Sequence, residues 1–344
     1  MKLLSIIIPT YNMENLLPRC LKSITDKIFN KTLEVIVVND GSTDKSLEIA
    51  RKFQNLYPEI INIINKPNGN YGSCINAALP IVQGKYIKIL DADDWYNTSS
   101  LKELLNKLSL TNSDLIITNY TEIYGKNKNN IQYNFPANQE LNASSVMLLS
   151  EFTKLRMHAV TYKRELFKEF NYTQTCGISH TDEEWMFYPM RFVKTITFYR
   201  LNLYQYMLDR EGQTMDPKLS TKRYHCFAII LERMIVEYSQ WNNTLTEYSN
   251  TYLLNRILIL ARSAYKIVLL NNTSNIPLKE LDKLDLAISK DINVYMELEK
   301  MPIHQMIPYK FIKLYHRQHK KPNFIIKLLY QIAIKIHYII KSSL

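Results

Sequence analysis

From Leu3 to Leu90, apolar β-branched runs alternate with segments whose apolar residues recur at helical spacing: LLSIII, LLPRCLKSI, LEVIVV, KSLEIARKF, IINII, CINAALPIV and YIKIL. Such alternation predicts an α/β fold, a mainly parallel Rossmann-like sheet flanked by helices on both faces. Ligands bind these sheets outside the carboxyl ends of the strands. The residues expected there are Thr10, Tyr11 and Asn12; Asn39, Asp40 and Gly41; Lys66 to Gly69; and Asp91, Ala92 and Asp93. Polar and acidic groups therefore converge on one sheet edge.

Beyond Asn119 the rhythm loosens through an Asn- and Lys-rich loop, GKNKNN, and resumes at HAVTYKRELF and the acidic segment HTDEEW. From about Lys218 it turns helical, with IILERMIVEY and LLNRILILARSAYKIVLL carrying apolar residues at helical spacing. The expected organisation is a catalytic domain over 1–217 and a mostly helical region over 218–344, without internal repeats.

Length and composition agree with this division. A chain of 344 residues with 46% hydrophobic and 22% charged residues can bury a large core and is neither disordered nor fibrous. Cys20, Cys74, Cys176 and Cys226 show no C-x-x-C spacing, so neither a zinc site nor a disulfide framework is expected, and a reducing cytoplasm is the natural setting. The opening MKLLSIIIPTYN is short, ends in Pro9 and lacks a small-residue cleavage site, so it reads as a first strand rather than a signal peptide. No apolar run reaches the roughly 18 residues of a membrane-spanning helix.

Formal net charge is +11, and its distribution identifies the partner class. No acidic residue follows Glu299, whereas Lys310, Lys313, Arg317, Lys320, Lys321, Lys327, Lys335 and Lys341 all do. At 100° per residue from Asn323 to about 342, Lys327, Gln331, Lys335, His337 and Lys341 fall opposite Ile325, Leu328, Leu329, Ile332, Ile336, Ile339 and Ile340. This amphipathic pattern, preceded by HRQHKK, suits peripheral contact with an anionic inner membrane face, or packing on the protein's own core or on another subunit of a homo-oligomer. Nucleic acid is not expected, since no zinc-finger, RRM-type or basic-zipper pattern accompanies the charge.

The strongest chemical signal is YIKILDADDW, a strand that delivers Asp91, Asp93 and Asp94 into its following loop. Carboxylates at i and i+2 can share Mn²⁺ or Mg²⁺ with phosphate oxygens. An isolated D-x-D more often caps the next helix, here near Asn97 to Ser100. Context favours the metal: VIVVNDGSTD places Asp40 before a glycine turn, where it is no helix cap and can accept a hydrogen bond from a nucleobase imide or ribose hydroxyl.

Taken together, IIIPTYN, VVNDGSTD, NGNYGSCINAAL, GKYIKILDADDW and HTDEEW, in this order, resemble a family-2 inverting glycosyltransferase of the bacterial polysaccharide or glycan type. The resemblance covers roughly the first 215 residues and implies a GT-A fold, a UDP-sugar donor and a divalent metal. It implies that Pro9, Thr10 and Tyr11 lie along the uridine, that Asp40 reads uracil and that Asn68 lines the nucleotide. By the same resemblance Asp91 sits near the ribose and metal waters, Asp93 ligates the metal, Asp182 is the catalytic base, and Arg210 belongs to a loop closing over the donor diphosphate. Two departures stand out. Ile75-Asn76 replaces the common Arg-Asn, with Lys66 a candidate substitute, and His180-Thr181 replaces the acidic residue common before the base, which leaves Glu183 as the competitor of Asp182.

The implied reaction is single-sugar transfer to a hydroxyl of a glycan or lipid-linked acceptor, with inversion in one step. A Rossmann oxidoreductase would need G-x-G-x-x-G where this chain has PTYNMEN, and a processive synthase would bring transmembrane helices and a Q-x-x-R-W motif. A catalytically silent nucleotide-sugar or glycan-binding module with the same fold is the alternative from another class. Trp95 and Trp185, which follow the two acidic motifs, are candidates for sugar stacking or for packing.

Overall fold

The computed structural model describes residues 2–208, 219–241, 244–270, 276–300 and 306–322, with Ile325, Leu328 and Ile332. Arg210 and the remainder of the tail segment expected over 323–342 lie outside the described residues. Two compact units are present: Met1–Gln213 with Thr246–Tyr252, and Thr214–Leu245 with Leu253–Leu344.

The first unit is built on one mixed sheet. Its strands are β1 (Leu4–Thr10), β2 (Leu33–Asp40), β3 (Ile61–Lys66), β4 (Tyr86–Ile89), β5 (Trp95–Tyr96), β6 (Leu115–Tyr124), β7 (Asn127–Ile131), β8 (Glu140–Asn142), β9 (Val160–Lys163) and β10 (Thr195–Leu208). The order is β3-β2-β1-β4-β9-β6-β10-β5, with β7 on β6 and β8 on β10. Strands β3, β2, β1 and β4 are mutually parallel, as the alternating pattern predicts. Ile6, Ile7, Ile8 and Val35 to Val38 are completely buried, which is why these strands read as continuous apolar runs.

Beyond β4 the direction changes. Strand β9 is antiparallel to β4 and to β6, with Ile87 opposite Tyr162 and Ile116 opposite Thr161. The chain entering β9 therefore lies beside the chain leaving β4. Strand β10 then pairs with β6 in parallel, with register shifts near Asn202 that bend it.

Helices α1 (Leu17–Lys22), α2 (Ser46–Leu56), α3 (Asn70–Ala78), α4 (Thr98–Leu108), α5 (Ala143–Val146) and α6 (Asp182–Phe187) complete this unit. Helix α4 is capped by Asn97, whose side chain accepts from the Ser100 N–H at 3.0 Å. Asp93 and Asp94 are thus not consumed as its caps.

The segment leading to α6 is seated on α3. Asn76 donates to the Gln174 carbonyl at 2.8 Å and accepts from its N–H at 2.7 Å. Gly177 N–H donates to the Gly69 carbonyl at 2.9 Å. A Cβ on Gly72 would stand 2.2 Å from the Thr175 carbonyl oxygen, so only glycine permits this approach. Ile75, in place of the common arginine, is completely buried.

The second unit is helical: α7 (Ser220–Trp241), α8 (Glu247–Leu270, its residues from Leu253), α9 (Leu278–Ser289), α10 (Ile292–Glu299) and α11 (Met306–Gln318). Asp291 caps α10 by accepting from the N–H groups of Asn293 and Val294, each at 3.1 Å, and its other oxygen receives the Ser239 hydroxyl of α7 at 2.8 Å. His316 of α11 bridges two carboxylates, Nε2 to Asp285 at 2.9 Å and Nδ1 to Glu299 at 2.8 Å, and stacks on Tyr295 at 4.5 Å. No helix among the described residues is long and apolar enough to cross a membrane.

The His316 bridge makes this unit's stability depend on pH. Burial alone would disfavour the charged ring, but hydrogen bonds and charge from Asp285 and Glu299 outweigh it and raise the His316 pKa. A group raised on folding contributes fully below its unfolded value, about 6.5 for histidine, and loses that contribution as pH rises through the folded value. Urea unfolding of wild type and His316→Gln is expected to differ by about 1.5–3 kcal/mol at pH 5.5, the range for hydrogen bonds to charged groups, and to converge toward pH 8.5. A pH-independent difference would contradict the bridge.

Candidate active site

Three strand ends and one helix start meet at the carboxyl edge of β1, β2 and β4. After β1, Asn12 adopts a left-handed φ of 52° and its side chain accepts from the Thr43 N–H at 2.8 Å. Glu14 N–H donates to the Asp44 carboxylate at 2.9 Å, and the Glu14 carboxylate accepts from the Lys45 N–H at 3.0 Å, between the same two loops. This latch fixes Pro9, Thr10 and the half-exposed Tyr11 beside the turn that follows Asp40.

Asp40, 3% exposed, ends β2 and pairs with Lys66, which also donates to the Ser73 hydroxyl at 2.8 Å. Gly69 N–H donates to the same Asp40 oxygen at 2.9 Å, and the Asn68 side chain donates to the Asp40 carbonyl at 3.0 Å. Gly41, at φ 71°, brings its backbone so close that a Cβ would lie 2.9 Å from the Asn68 nitrogen. Asp40, Lys66 and Asn68 thus form one cluster. The carboxylate retains acceptor directions beyond these bonds.

The Asp91–Asp94 loop is fixed from several sides. Asp94 is buried; it accepts from the Tyr204 hydroxyl and from the Met207 N–H, each at 2.7 Å. The same Tyr204 oxygen accepts from the Asp91 N–H at 3.1 Å, and Tyr71 of α3 donates to Asp91 Oδ1 at 2.8 Å. From α1, Arg19 donates to the Asp93 carbonyl at 2.7 Å and lies 3.8 Å from the Trp95 ring. Trp95 thereby orders a cation behind the loop. Trp185 is completely buried and stacks on Phe167 at 5.0 Å, which places it in the core and leaves it no face for a sugar.

Crowding of acids shows in their protonation. Burial, then the charges of Asp93 and Asp182, raise the Asp91 carboxyl to about 7. Burial and the charges of Asp93 and Asp91 push Asp94 well upward as well. Asp182 also raises the Tyr71 and Tyr206 hydroxyls, after burial and the loop carboxylates, so its charge reaches the same site. It is the first residue of α6, preceded by His180 at a left-handed φ of 66°. Glu184, two positions on, turns inward instead and accepts from the Thr175 N–H and hydroxyl, each at 2.7 Å.

A histidine that the sequence reading did not single out stands beside the loop. His158 precedes β9, is 8% exposed and stacks on Tyr206 at 4.2 Å with Tyr204 edge-on at 4.7 Å. Its carbonyl accepts from the completely buried Lys88 ammonium at 2.8 Å, and Lys88 also reaches the Val160 carbonyl at 2.9 Å. Burial lowers Lys88 to about 7. Burial, with the nearby charges of Arg156 and Lys88, lowers His158 to about 3, so the ring is neutral. One ligand atom each of Asp91, Asp94 and His158 lie within 4.8 Å of one another. Two carboxylates and a neutral imidazole, with the buried His158 Nδ1 lacking a hydrogen-bond partner, fit the donor set of a divalent cation.

The glycosyl transferase family 2 profile matches residues 5–182. Curated relatives include the glycosyltransferase GlyA of Streptococcus pneumoniae, 35% identical over 117 residues, 34% of this chain and 16% of that one. The poly(ribitol-phosphate) β-N-acetylglucosaminyltransferase TarS of Staphylococcus aureus is 32% identical over 123 residues, 36% of this chain and 22% of that one. EpsJ of Bacillus subtilis, named a glycosyltransferase, is 28% identical over 180 residues, 49% of this chain and 50% of that one. The matched segments thus span half or less of these relatives. Among solved structures, S. aureus TarS 1–349 in complex with UDP-GlcNAc superposes with a TM-score of 0.68 at 20% identity, over 97% of this chain and 92% of that one, which establishes a shared GT-A fold. With the family profile spanning more than half of the residues, on the strands that carry Asp40, Asp91 and Asp93, the chain belongs to glycosyl transferase family 2.

Proposed function

We propose that this glycosyltransferase moves a single sugar from a UDP-sugar to a hydroxyl of a glycan or lipid-linked acceptor, with inversion at the anomeric carbon. The observation that carries the reading is the meeting of Asp40, the Asp91–Asp94 loop and Asp182 at one sheet edge, with the charge of Asp182 acting on Asp91 and Tyr71. The complex of S. aureus TarS with UDP-GlcNAc supports a UDP-linked donor.

In this reading Pro9, Thr10, Tyr11 and Asn68 line the uridine, and Asp40 accepts from the uracil imide. Lys66, already paired with Asp40, supplies the positive charge that the buried Ile75 cannot. Asp91 and Asp93 would hold Mn²⁺ or Mg²⁺, which would supply positive charge against that developing on the departing diphosphate. Arg210 belongs to the segment that would cover the diphosphate. Asp182 takes the proton of the acceptor hydroxyl as its oxygen attacks the anomeric carbon from the face opposite the leaving group. Seating of the 173–181 segment on α3 sets the position from which it does so.

Asp182→Asn is expected to lower turnover by about 10²- to 10⁴-fold, the usual range for a general base, while UDP-sugar affinity by calorimetry changes little. Retained turnover would remove Asp182 from this role, and Glu183→Gln would then be the variant to compare. The acid-free segment after Glu299 supports contact with an anionic membrane as the place where a lipid-linked acceptor is met. Deleting residues 323–344 is expected to abolish co-sedimentation with phosphatidylglycerol vesicles; unchanged partitioning would contradict that part of the reading.

A further inference from the structure

His158 is held more firmly than its surroundings require for packing alone. Tyr206 and Tyr204 fix its ring, and Lys88 fixes its carbonyl. Yet its buried Nδ1 has no hydrogen-bond partner among the described residues. A buried nitrogen left without a partner is costly, so a site of this kind calls for a ligand. The candidate place is defined: a His158 ring nitrogen lies with carboxylate oxygens of Asp91 and Asp94 inside a 4.8 Å span. Atoms bound at about 2.1 Å to one ion stand about 3–4 Å apart, so a small inward rotation of the side chains closes the set. The neutral ring is the form that binds metal.

We propose that His158 is a nitrogen ligand of the divalent cation held by the Asp91–Asp94 loop, which makes this a mixed nitrogen–oxygen site. Carboxylate-only sites suit Mg²⁺ and Ca²⁺, whereas imidazole shifts preference toward later transition-metal ions. The site therefore selects such an ion over Mg²⁺. Ligating histidines are ordinarily oriented by a hydrogen bond from their second nitrogen. Here the aromatic stack and the Lys88 tie perform that orientation. The inference rests on the cation reading given under Proposed function, takes Asp94 in place of Asp93 as the carboxylate beside Asp91, and adds a nitrogen ligand and a selectivity.

The test uses the full chain without an affinity tag and without nucleotide, titrated with Co²⁺ or Mg²⁺ alone by calorimetry. Wild type is expected to bind Co²⁺ at least about 30-fold more tightly than Mg²⁺. His158→Gln should weaken Co²⁺ binding by about 10-fold or more and change Mg²⁺ binding by less than about 3-fold. Pulsed electron paramagnetic resonance of wild type loaded with Mn²⁺ should show imidazole ¹⁴N coupling that His158→Gln removes. The wild-type spectrum does not depend on how well the variant folds. Equal Co²⁺ affinity in a folded variant, or no ¹⁴N coupling in wild type, would overturn the proposal. Cation-dependent UDP-GlcNAc binding measured on the same samples separates the two claims. If it persists without nitrogen coupling, only the His158 ligand fails; if neither cation nor donor binds, the reading it rests on fails with it.

Discussion

Four carboxylates at one sheet edge set the terms for the rest of the first unit. Asp91, Asp93 and Asp94 fall within four residues, and Asp182 adds its charge from the start of α6. Crowded together, with Asp94 buried and the others partly so, they repel, and Asp91 and Asp94 respond with raised protonation. Hydrogen bonds from Tyr204, Met207 and Tyr71, with the Arg19 guanidinium behind the loop, hold the group in place without neutralising it. Positive charge entering between these acids would relieve the repulsion. That electrostatic imbalance connects the fold to cation and diphosphate chemistry.

Topology supplies the remaining parts. Parallel strands β1, β2 and β4 all end on the same side, which brings Tyr11, Asp40 and Asp91 to one edge. The antiparallel insertion of β9 brings a segment into that edge from the opposite direction, and so places His158 against the loop. Strand β10 returns to contribute Tyr204 and Tyr206. The α3 seat holds the chain leading to Asp182 through Asn76 and the bare backbone of Gly72. Substitution of the common arginine by Ile75 leaves this seat intact, because Ile75 packs inward while Asn76 makes both bonds to Gln174.

Much of the parallel half was legible in the sequence. The runs LLSIII, LEVIVV and YIKIL are buried on both faces, and a run of that kind leaves little choice of element, whereas IINII forms the edge strand, with Asn62 exposed. The acids ending β2 and β4 could be placed for the same reason, and Asn97, not an aspartate, proves to cap α4. What could not be read were neighbours made by long-range pairing. HAVTYK announces a strand but not its partner, so the adjacency of His158 and Asp91 followed only from the antiparallel register with β4. Arg19 lies in an ordinary amphipathic helix, and its stacking on Trp95 has no local signature. Trp185, adjacent in sequence to the acidic motif, resolves as core packing because α6 turns it inward against Phe167 and Tyr162.

The central claim is that this carboxylate edge binds a nucleotide sugar through a divalent cation. Calorimetry with a panel of UDP- and GDP-sugars, each with Mn²⁺ and with chelator, tests it most directly. The account predicts tight binding of one UDP-sugar that chelator abolishes, accompanied by slow donor hydrolysis. Absence of binding to every nucleotide sugar, or binding indifferent to chelator, would contradict it. Binding of one donor without any hydrolysis or transfer would instead favour a catalytically silent module on the same fold.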